Sequence, residues 1–381
     1  MHAVIKSALL SRQQKDNLAQ TLIFFVTSRC NARCDFCLYY EQIENPVAAE
    51  KELKIPEVEQ IARKYGPAHY LALSGGEPFV RKDLEPLCQA FIDHCGTAVV
   101  DIPSNFYYTK TMVAAMEPLA RKNPGVIFDL QMSIDHIGAM HDASRKVPRL
   151  YDTAIKSFRA LEEIRARYSN LKLKVNIVYL EQNRDALDEI VSELSRTIGF
   201  DRIQLTYPHE MVPRQWDGSS AKAKDVDDYI EAANRVGEHS PSQNIFDLHS
   251  LGMRSVKGIY HRLLKEAVAN TRTVGSYCEA GRYIVVINEK GDVFPCEPLW
   301  QSVGNLRDHD YDMRALLSAP AYQKFRDQRL GPGKCNCTWS CAMHSAISVK
   351  PSFLPEISAN ASSAVNCLAG SSVGLSPASS E

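Results

Sequence analysis

VTSRCNARCDFCLYY, residues 26–40, is the stretch of sequence that decides the fold. Its cysteines, Cys30, Cys34 and Cys37, have the spacing Cys-x3-Cys-x2-Cys and directly follow an apolar run. Structural zinc sites have four ligands, and no fourth cysteine or histidine lies nearby. Three cysteines can instead hold three corners of a 4Fe-4S cluster and leave one iron open to a substrate or cofactor. We interpret the stretch as a cluster loop, with zinc, a disulfide or buried thiols as the alternatives.

The cluster loop resembles the signature of radical S-adenosylmethionine (SAM) enzymes, Cys-x3-Cys-x-aromatic-Cys, with Phe36 in the aromatic position. The resemblance implies that the open iron of a 4Fe-4S cluster binds the amino and carboxylate groups of SAM. It also implies that an electron from a flavodoxin- or ferredoxin-type donor leads to cleavage of SAM. The resulting 5′-deoxyadenosyl radical would abstract a hydrogen atom from a substrate.

Length, charge and cysteine content restrict the class of protein. The 381 residues suffice for one large domain and a smaller one, and the net charge of −1 does not favour a nucleic-acid partner. The first residues lack the apolar core of a signal peptide, and no apolar run could span a membrane, which predicts a cytoplasmic protein. In that reducing compartment, eleven cysteines favour metal or cluster chemistry over disulfides.

Strand and helix patterns alternate six times along residues 21–212, which predicts a parallel sheet with helices outside. The resemblance implies that this α/β unit is a partial (β/α)6 barrel like a TIM barrel, with the cysteines at the carboxyl end of the first strand, on the functional face. The predicted strands are 21–27, 69–76, 96–102, 126–134, 171–180 and 202–208. The predicted helices are 56–66, 83–95, 109–121, 151–168 and 185–197.

The predicted domains follow from these patterns. Residues 1–20 form an extension, 21–212 the barrel, 213–275 a helical linker, 276–350 a small domain with a β-hairpin and clustered cysteines, and 351–381 a disordered tail.

SGGEP, Ser74–Pro78, ends the second predicted strand. By itself the motif is an ordinary strand-to-helix turn. It also resembles the GGEP element of radical SAM enzymes. That resemblance implies that Gly75 and Gly76 let the backbone approach SAM, that Glu77 binds its amino group, and that Pro78 completes the turn.

Ser133 and Asp135 end the fourth predicted strand and resemble the Ser-x-Asp element that contacts SAM in many relatives. Arg145 follows where relatives often have a basic residue. The alternative is that these side chains only cap the strand end. His136 and Ile137 replace the usual Gly-Pro, so the loop geometry departs from the family pattern.

Two further groups of polar residues belong to the same predicted face. Asn105 and Asn176 are candidates for contacts with the ribose or adenine of SAM. Tyr207, His209 and Glu210 follow strand six, and one of them could accept a proton from an oxidised substrate. The alternative for all three is ordinary surface polarity.

Near the C-terminus, two cysteines flank a predicted hairpin around the turn NEKG, and three more form the group KCNCTWSC. The pattern resembles the SPASM and twitch domains of radical SAM enzymes, including Gly291-x4-Cys296 and the Gly304–Leu306 segment. Full SPASM domains have seven cysteines and two clusters, whereas this region has five, which favours a single auxiliary 4Fe-4S cluster. A zinc knuckle is the alternative. The spacing does not identify the four ligands among Cys278, Cys296, Cys335, Cys337 and Cys341.

The resemblance implies an enzyme of the oxidoreductase type that oxidises a substrate and passes an electron to the auxiliary cluster. Because about twenty residues precede the first strand, too few for a peptide-binding domain, we expect a small molecule such as an alcohol, sugar or cyclitol. The alternatives are a peptide- or sulfatase-modifying enzyme, a transferase that adds the adenosyl group or forms a C–C bond, and a non-catalytic iron-sulfur or zinc protein.

Overall fold

The computed structural model describes residues 20–208, 226–241, 248–271, 278–330 and 334–360. Its strands form one sheet that contains both parallel and antiparallel pairs. The strands are β1 Thr21–Thr27, β2 Tyr70–Gly75, β3 Val99–Ser104, β4 Ile127–Ser133, β5 Leu171–Val178, β6 Arg202–Thr206, β7 Ile284–Ile287, β8 Asp292–Phe294 and β9 Gly304–Asn305. Within the described residues their order is β6-β5-β4-β3-β2-β1-β7-β8-β9. Strands β1 to β7 pair in parallel, and β8 and β9 add antiparallel strands at the edge.

Helices follow the barrel strands, as the α/β prediction required, and the predicted partial-barrel fold is confirmed. The helices are α1 Tyr40–Glu44, α2 Ile55–Tyr65, α3 Leu84–Cys95, α4 Thr109–Lys122, α5 Gly138–Arg145, α6 Leu150–Arg167, α7 Leu187–Thr197, α8 Val226–Glu238, α9 Leu248–Val268, α10 Met313–Ser318, α11 Pro320–Arg329 and α12 Ser340–Val349. None of the helices in the described ranges is long and apolar enough to cross a membrane.

Some helices differ from the prediction. Helix α5 was not predicted because its eight residues lack a long apolar stripe, and α12 was hidden within the cysteine group. Pro320 divides the helical region 313–329 into α10 and α11, because it starts a new helix directly after Ala319. The first ten residues of the predicted tail are described. There Phe353 is buried and Glu356 pairs with Arg262 at 2.7 Å.

The two faces of the barrel strands differ in chemistry. In β6, Ile203 and Leu205 are buried against helices, while the alternate residues Arg202, Gln204 and Thr206 keep partial exposure. Strands β2, β4 and β5 show the same alternation. Since successive side chains in a strand point to opposite faces, the apolar set packs outward and a polar set points inward. We call the space bounded by the inward side chains of β2–β6 the barrel lumen.

The C-terminal hairpin is an extension of the barrel sheet. Strand β7 pairs with β1 from Thr21↔Ile284 to Phe24↔Ile287. Beside this pairing, the ring of Trp300 lies 4.9 Å from that of Phe25 and 5.2 Å from that of Tyr39. The Tyr39 hydroxyl also donates a hydrogen bond of 2.7 Å to buried Glu289. These contacts join the residues that follow the cluster loop to the hairpin.

A surface ion pair forms a second joint between the barrel and the C-terminal region. Glu57, in the first turn of α2, accepts hydrogen bonds from Arg307 Nε at 2.7 Å and from the Tyr311 hydroxyl at 2.9 Å. It also accepts one from the Lys54 N–H at 2.8 Å. Although burial acts to raise it, these hydrogen bonds lower the pKa of Glu57 from 4.5 to about 2.

Glu57→Gln should lower the free energy of unfolding by about 1 kcal/mol at pH 7, since it removes a charged acceptor from this joint. A lowered carboxyl pKa stabilises the fold above pH 4.5, and the effect disappears as the pH falls through about 2. The difference between variant and wild type in urea unfolding should therefore shrink over that range. Glu59→Gln, which removes an exposed partner of Arg63 on the same helix, is the control. An equal loss in both variants would contradict the joint.

Candidate active site

The cluster loop is held in shape by its own backbone. The Cys37 N–H donates to Cys34 O at 3.1 Å, and the Ala32 N–H points at Cys30 Sγ at 3.3 Å. The loop is also fastened to the end of α5, because the Arg33 N–H donates to Arg145 O at 3.2 Å. The three cysteines therefore lie in one bent segment at the carboxyl end of β1.

The loop is a poor environment for free thiolates. Burial and the charge of Glu77 raise the pKa of the Cys30 thiol to about 12. Burial also raises the pKa of Cys34 and of Cys37, and the nearby Arg145 guanidinium only partly opposes this. A bound metal cation would deprotonate three desolvated thiols that lie beside one another and would then bind the thiolates. The donor set therefore fits a metal cluster better than a hydrolytic or nucleophilic thiol site.

The two glycines of SGGEP let the end of β2 approach the cluster loop itself. A Cβ on Gly75 would overlap Thr27 O, and one on Gly76 would overlap Arg29 O. The same contact includes hydrogen bonds from the Gly76 N–H to Thr27 O at 2.7 Å and from the Glu77 N–H to Arg29 O at 2.9 Å. The close backbone approach seen here is with the chain, whereas the sequence prediction assigned it to SAM.

Glu77 is almost completely buried and is oriented by three donors. The Ser104 hydroxyl and the Phe79 N–H donate to Oε1 at 2.8 and 3.2 Å, and the Asn105 N–H donates to Oε2 at 2.8 Å. Burial nevertheless raises the pKa of Glu77. An ionised carboxylate has about four acceptor positions, so Glu77 keeps capacity for a cationic group such as an amine. Its proximity to Cys30 places that capacity beside the cluster loop.

Asn31 is a site residue that the sequence analysis missed. Its carbonyl oxygen accepts a hydrogen bond of 2.8 Å from Asn105 Nδ2, but its own Nδ2 is buried without a partner in the described structure. A buried donor without a partner is destabilising unless a ligand or water completes it. Asn31 lies between Cys30 and Ala32, so a ligand at the cluster loop could accept this hydrogen bond. The residue type inside the cysteine spacing was the available signal.

Asp135 positions Arg145, which differs from its predicted role as a SAM contact. Its Oδ2 accepts from Arg145 at 2.7 and 2.9 Å, and its Oδ1 accepts from the Val178 N–H at 3.1 Å. Both residues are buried, and Arg145 lies over the Phe36 ring at 5.7 Å from its centroid. Although burial acts to lower it, Asp135 and Cys34 raise the pKa of Arg145. The guanidinium is thus a fixed positive charge beside the cysteines.

The remaining predicted cofactor residues lie along the same edge of the barrel. Ser133 ends β4 and is paired in register with Asn176 of β5. The side-chain oxygen of Asn176, Oδ1, accepts hydrogen bonds from Gln204 Nε2 at 3.1 Å and from the Thr206 hydroxyl at 2.5 Å. Asn176 is therefore part of a hydrogen-bond network in the lumen. Pro78 is buried in the short turn after Glu77.

Charged and amide side chains line the deeper lumen, and the sequence analysis did not predict them. Gln131 donates to both oxygens of Asp101 at 2.6 and 2.7 Å, and Gln204 donates to the Gln131 oxygen at 3.2 Å. Lys174 forms an ion pair with Asp129. Polar residues at alternate positions of otherwise apolar strands, as in IFDLQMS and RIQLT, were the signal that could have predicted this lining.

Tyr207 lies away from the lumen, which corrects its prediction as a proton acceptor. It continues the outward face of β6 after Ile203 and Leu205, is 4% exposed, and its ring lies 5.0 Å from that of Tyr229 in α8. The strand alternation therefore directs Tyr207 into the outer core. His209 and Glu210, the other two candidates, lie outside the described residues.

Four of the five C-terminal cysteines are neighbours. Cys335 and Cys337 share a hydrogen bond, which lowers the pKa of Cys335 and raises that of Cys337. Burial, then the charge of Cys335, raise the pKa of Cys278 to about 12. Burial raises the pKa of Cys296, and the charges of Cys278 and Cys335 raise it further. Each thiol therefore senses the charge of at least one other thiol of this set.

Cys341 lies apart from that set, although it is only four residues beyond Cys337. Its thiol is accessible to water, yet burial raises its pKa, with the charges of Glu297 and Asp101 as the next causes. Its charge also acts on Tyr70 of β2 and Tyr260 of α9. Because Asp101 and Tyr70 line the lumen, we place the Cys341 side chain at the lumen wall.

The arrangement of the cysteines disfavours a preformed site for one metal ion. Among the described residues, no three His, Cys, Asp or Glu side chains converge closely enough to hold a single ion. Zinc requires thiolates about 2.3 Å from one centre. A 4Fe-4S cluster is larger and is ligated at its separate corners, so its thiolates stand further apart.

Two family models match the chain. The model of the radical SAM superfamily matches residues 24–194, and that of the SPASM domain, an iron-sulfur cluster-binding domain, matches residues 278–342. The first range contains the cluster loop and SGGEP, and the second contains all five C-terminal cysteines.

Several curated proteins are similar in sequence. Mycofactocin maturase MftC of Mycolicibacterium smegmatis is 24% identical over 279 residues, 72% of this chain and 63% of the maturase. AdoMet-dependent heme synthase of Methanosarcina barkeri is 22% identical over 332 residues, 84% of this chain and 88% of the synthase. GTP 3′,8-cyclase of Aquifex aeolicus is 24% identical over 205 residues, 52% of this chain and 60% of the cyclase. The chain thus spans about three fifths of the cyclase and the maturase.

Solved structures with the same fold include two that contain SAM. Native anSMEcpe with bound AdoMet has a TM-score of 0.54 and 15% identity, covering 90% of this chain and 99% of that chain. Streptococcus suis SuiB bound to S-adenosylmethionine has a TM-score of 0.54 and 16% identity, covering 85% of this chain and 72% of that chain. At these identities the similarity establishes the fold, and function has to be argued from the site.

Gly76→Ala should destabilise the metal-free protein by about 1–3 kcal/mol and reduce iron incorporation, because the new methyl group would displace the Arg29 carbonyl and with it the cluster loop. Urea unfolding and iron content after anaerobic reconstitution measure the two effects. Gly125→Ala is the control, since a Cβ there meets nothing within 4 Å. Normal iron content in Gly76→Ala would contradict the proposed contact.

Proposed function

Because the chain belongs to the radical SAM superfamily and has a C-terminal SPASM domain, we propose that this enzyme oxidises a small polar molecule, such as an alcohol, sugar or cyclitol, inside its barrel. Its cofactors are a 4Fe-4S cluster with SAM and an auxiliary iron-sulfur centre. When bound, SAM and its cluster supply a radical that removes a hydrogen atom from the substrate, and the auxiliary centre supplies an acceptor for the electron that the substrate then releases.

The cluster loop and its neighbours would hold the first cofactor pair. Cys30, Cys34 and Cys37 are the three thiolate ligands, and Glu77 offers an oriented carboxylate to the amino group of SAM. Arg145, fixed by Asp135, offers a positive charge to a carboxylate or to the cluster itself. The buried Nδ2 of Asn31 adds a donor without a protein partner in the described structure. These groups lie at one end of the lumen, which is where the radical would be formed.

The chemistry of the lumen supports a polar substrate. The inward residues of β3–β6 include amides, hydroxyls and charged groups beside a few apolar residues such as Val99 and Val178, and several remain partly exposed. An apolar substrate would remove water from these polar groups without adding hydrogen bonds, which disfavours its binding. This polar lining is the observation that carries the proposal for a small hydroxylated molecule. The helices outside the barrel exclude water from the other face of the same strands.

We assign the auxiliary centre to Cys278, Cys296, Cys335 and Cys337. These four thiols are mutual neighbours, and four is the number of ligands that closes a 4Fe-4S cluster. Cys341 faces the lumen and is left out of the set. With one cluster held by the loop cysteines and one by this set, the chain would carry two.

Peptide modification is the second candidate, supported by the similarity to mycofactocin maturase MftC over 72% of this chain. The polar lumen could also bind the end of a peptide. Mass spectrometry distinguishes the two cases, because a modified peptide loses about two mass units on its own chain, whereas a small-molecule oxidation leaves added peptides unchanged.

Reduced, anaerobically reconstituted protein should convert SAM to 5′-deoxyadenosine, and Cys34→Ala should lower the rate about 100-fold or more, because one corner of the cluster loses its ligand. Chromatography of the nucleoside measures this. Cys88→Ala, which removes a buried thiol of α3 far from the loop, should leave the rate within about twofold. Equal rates in Cys34→Ala and wild type would refute the assignment, and an adenosylated product would indicate a transferase.

Cys337→Ala should halve the iron content after reconstitution, from about eight to about four atoms per chain, whereas Cys341→Ala should keep about eight. The two substitutions are chemically identical and only four residues apart, so each controls for the other. Iron and acid-labile sulfide analysis, with EPR spectra of the reduced protein, gives the result. Loss of iron in Cys341→Ala, with none in Cys337→Ala, would exclude our ligand set.

A further inference from the structure

Arg202 is a cation without a counter-ion in the lumen. Within the described parts of the chain, Arg202 forms no salt bridge, and its Nε is buried without a hydrogen-bond partner. It is paired in register with Lys174 of β5 and lies on the same face as Gln204, which donates hydrogen bonds to Asn176 of the neighbouring strand β5 and to Gln131 of β4. The guanidinium therefore points into the lumen.

The acidic groups near Arg202 already have other partners. Asp129 forms an ion pair with Lys174. Asp101 is held by Gln131 at 2.6 and 2.7 Å and by a hydrogen bond with Tyr70. Neither carboxylate is oriented toward Arg202 by a hydrogen bond. Both of these acids thus have partners in the described lumen, and neither pairs with Arg202.

The other groups around Arg202 do not neutralise it. Burial, then the charge of Arg202, lower the pKa of Lys174. Burial, with Arg202 next, lowers the pKa of His344 in α12 to about 4, so His344 is neutral at pH 7. The His344 ring stacks on Tyr260 of α9 at 4.6 Å and forms a wall beside the guanidinium. A partly buried cation with neutral or positive neighbours is unfavourable unless an anion completes it.

We propose that Arg202 binds an oxyanion of the substrate, a carboxylate or a phosphate, deep in the lumen. The inference rests on the proposed function and specifies its substrate class. The guanidinium suits either group because its planar N–H donors can bind two oxygens at once. The Nε–H of Arg202, which has no partner in the described structure, can donate one of these two hydrogen bonds.

The position of Arg202 also limits the shape of the substrate. Arg202 begins β6 and Thr206 ends it, so the backbone of Arg202 lies about 13 Å from the carboxyl end of the strand, at about 3.3 Å per residue. The cluster loop, Glu77 and Asp135 follow the carboxyl ends of their strands. The substrate would therefore be elongated, with its oxyanion at one end and the reacting C–H bond near the other. The amides of Gln131, Asn176 and Gln204 would contact the polar part between them.

Titration calorimetry of the reconstituted protein with SAM, using inorganic phosphate and succinate as separate probes at matched ionic strength, tests the proposal. Wild type should bind at least one probe, and Arg202→Gln should bind it about tenfold more weakly or worse, because a charge-assisted contact is lost. The probe that loses more affinity identifies phosphate or carboxylate as the better match. Arg202→Lys keeps the charge but not the fork, so it should retain part of the affinity for phosphate.

Arg196→Gln is the matched control, because Arg196 is a surface residue of α7 that pairs with Glu193. It should bind both probes like wild type. Failure of wild type to bind either probe, or unchanged binding by Arg202→Gln, would overturn the anion site. Formation of 5′-deoxyadenosine by wild type reports on the proposed function separately, since it requires no substrate anion. Melting curves for each variant exclude misfolding as the cause of lost binding, and Arg202→Lys gives the test if Arg202→Gln fails to fold.

Discussion

The contact between two backbones, at Gly75–Gly76 and at Thr27–Arg29, is the constraint on which the site depends. The strands β1 and β2 pair in parallel, so their carboxyl ends meet, but only residues without a Cβ allow the two loops to come within hydrogen-bond distance. The contact brings Glu77 beside Cys30 and turns its carboxylate toward Ser104 and Asn105. The cluster loop and the carboxylate are thereby held as one unit.

Desolvation gives the cluster loop its chemical character. Buried thiols with raised pKa values are neutral, and an enclosed carboxylate such as Glu77 is destabilised by the same burial. Positive charge is therefore needed at this end of the barrel. Arg145 supplies one fixed charge, held by Asp135, and the remainder has to come from what binds there. This is the electrostatic reason that the loop fits the cationic iron-sulfide core of a cluster, which would deprotonate the three thiols, together with a sulfonium cofactor.

The inward face of this barrel differs from the apolar, packed interior that parallel barrels commonly have. Parallel barrels commonly fill the centre with branched apolar side chains. Here the apolar residues of β6 pack outward, while Arg202, Gln204 and Thr206 point inward and stay partly exposed. A lumen with this polar lining does not favour apolar molecules over polar ones. It instead selects for a substrate that can satisfy many hydrogen bonds. Strand β7 and the contact of Trp300 with Phe25 join the C-terminal region to β1 of the barrel.

Local sequence determined the cysteine spacing, the SGGEP turn, the β/α alternation and the hairpin, because each depends on residues close in the chain. The confirmed fold followed from these patterns. Only the tertiary structure decided which way side chains point: Tyr207 faces the outer core, Asp135 is occupied by Arg145, and Cys341 lies near the charges of Glu297 and Asp101. Strand register and the packing of distant helices set these directions, and neither can be read from spacing alone.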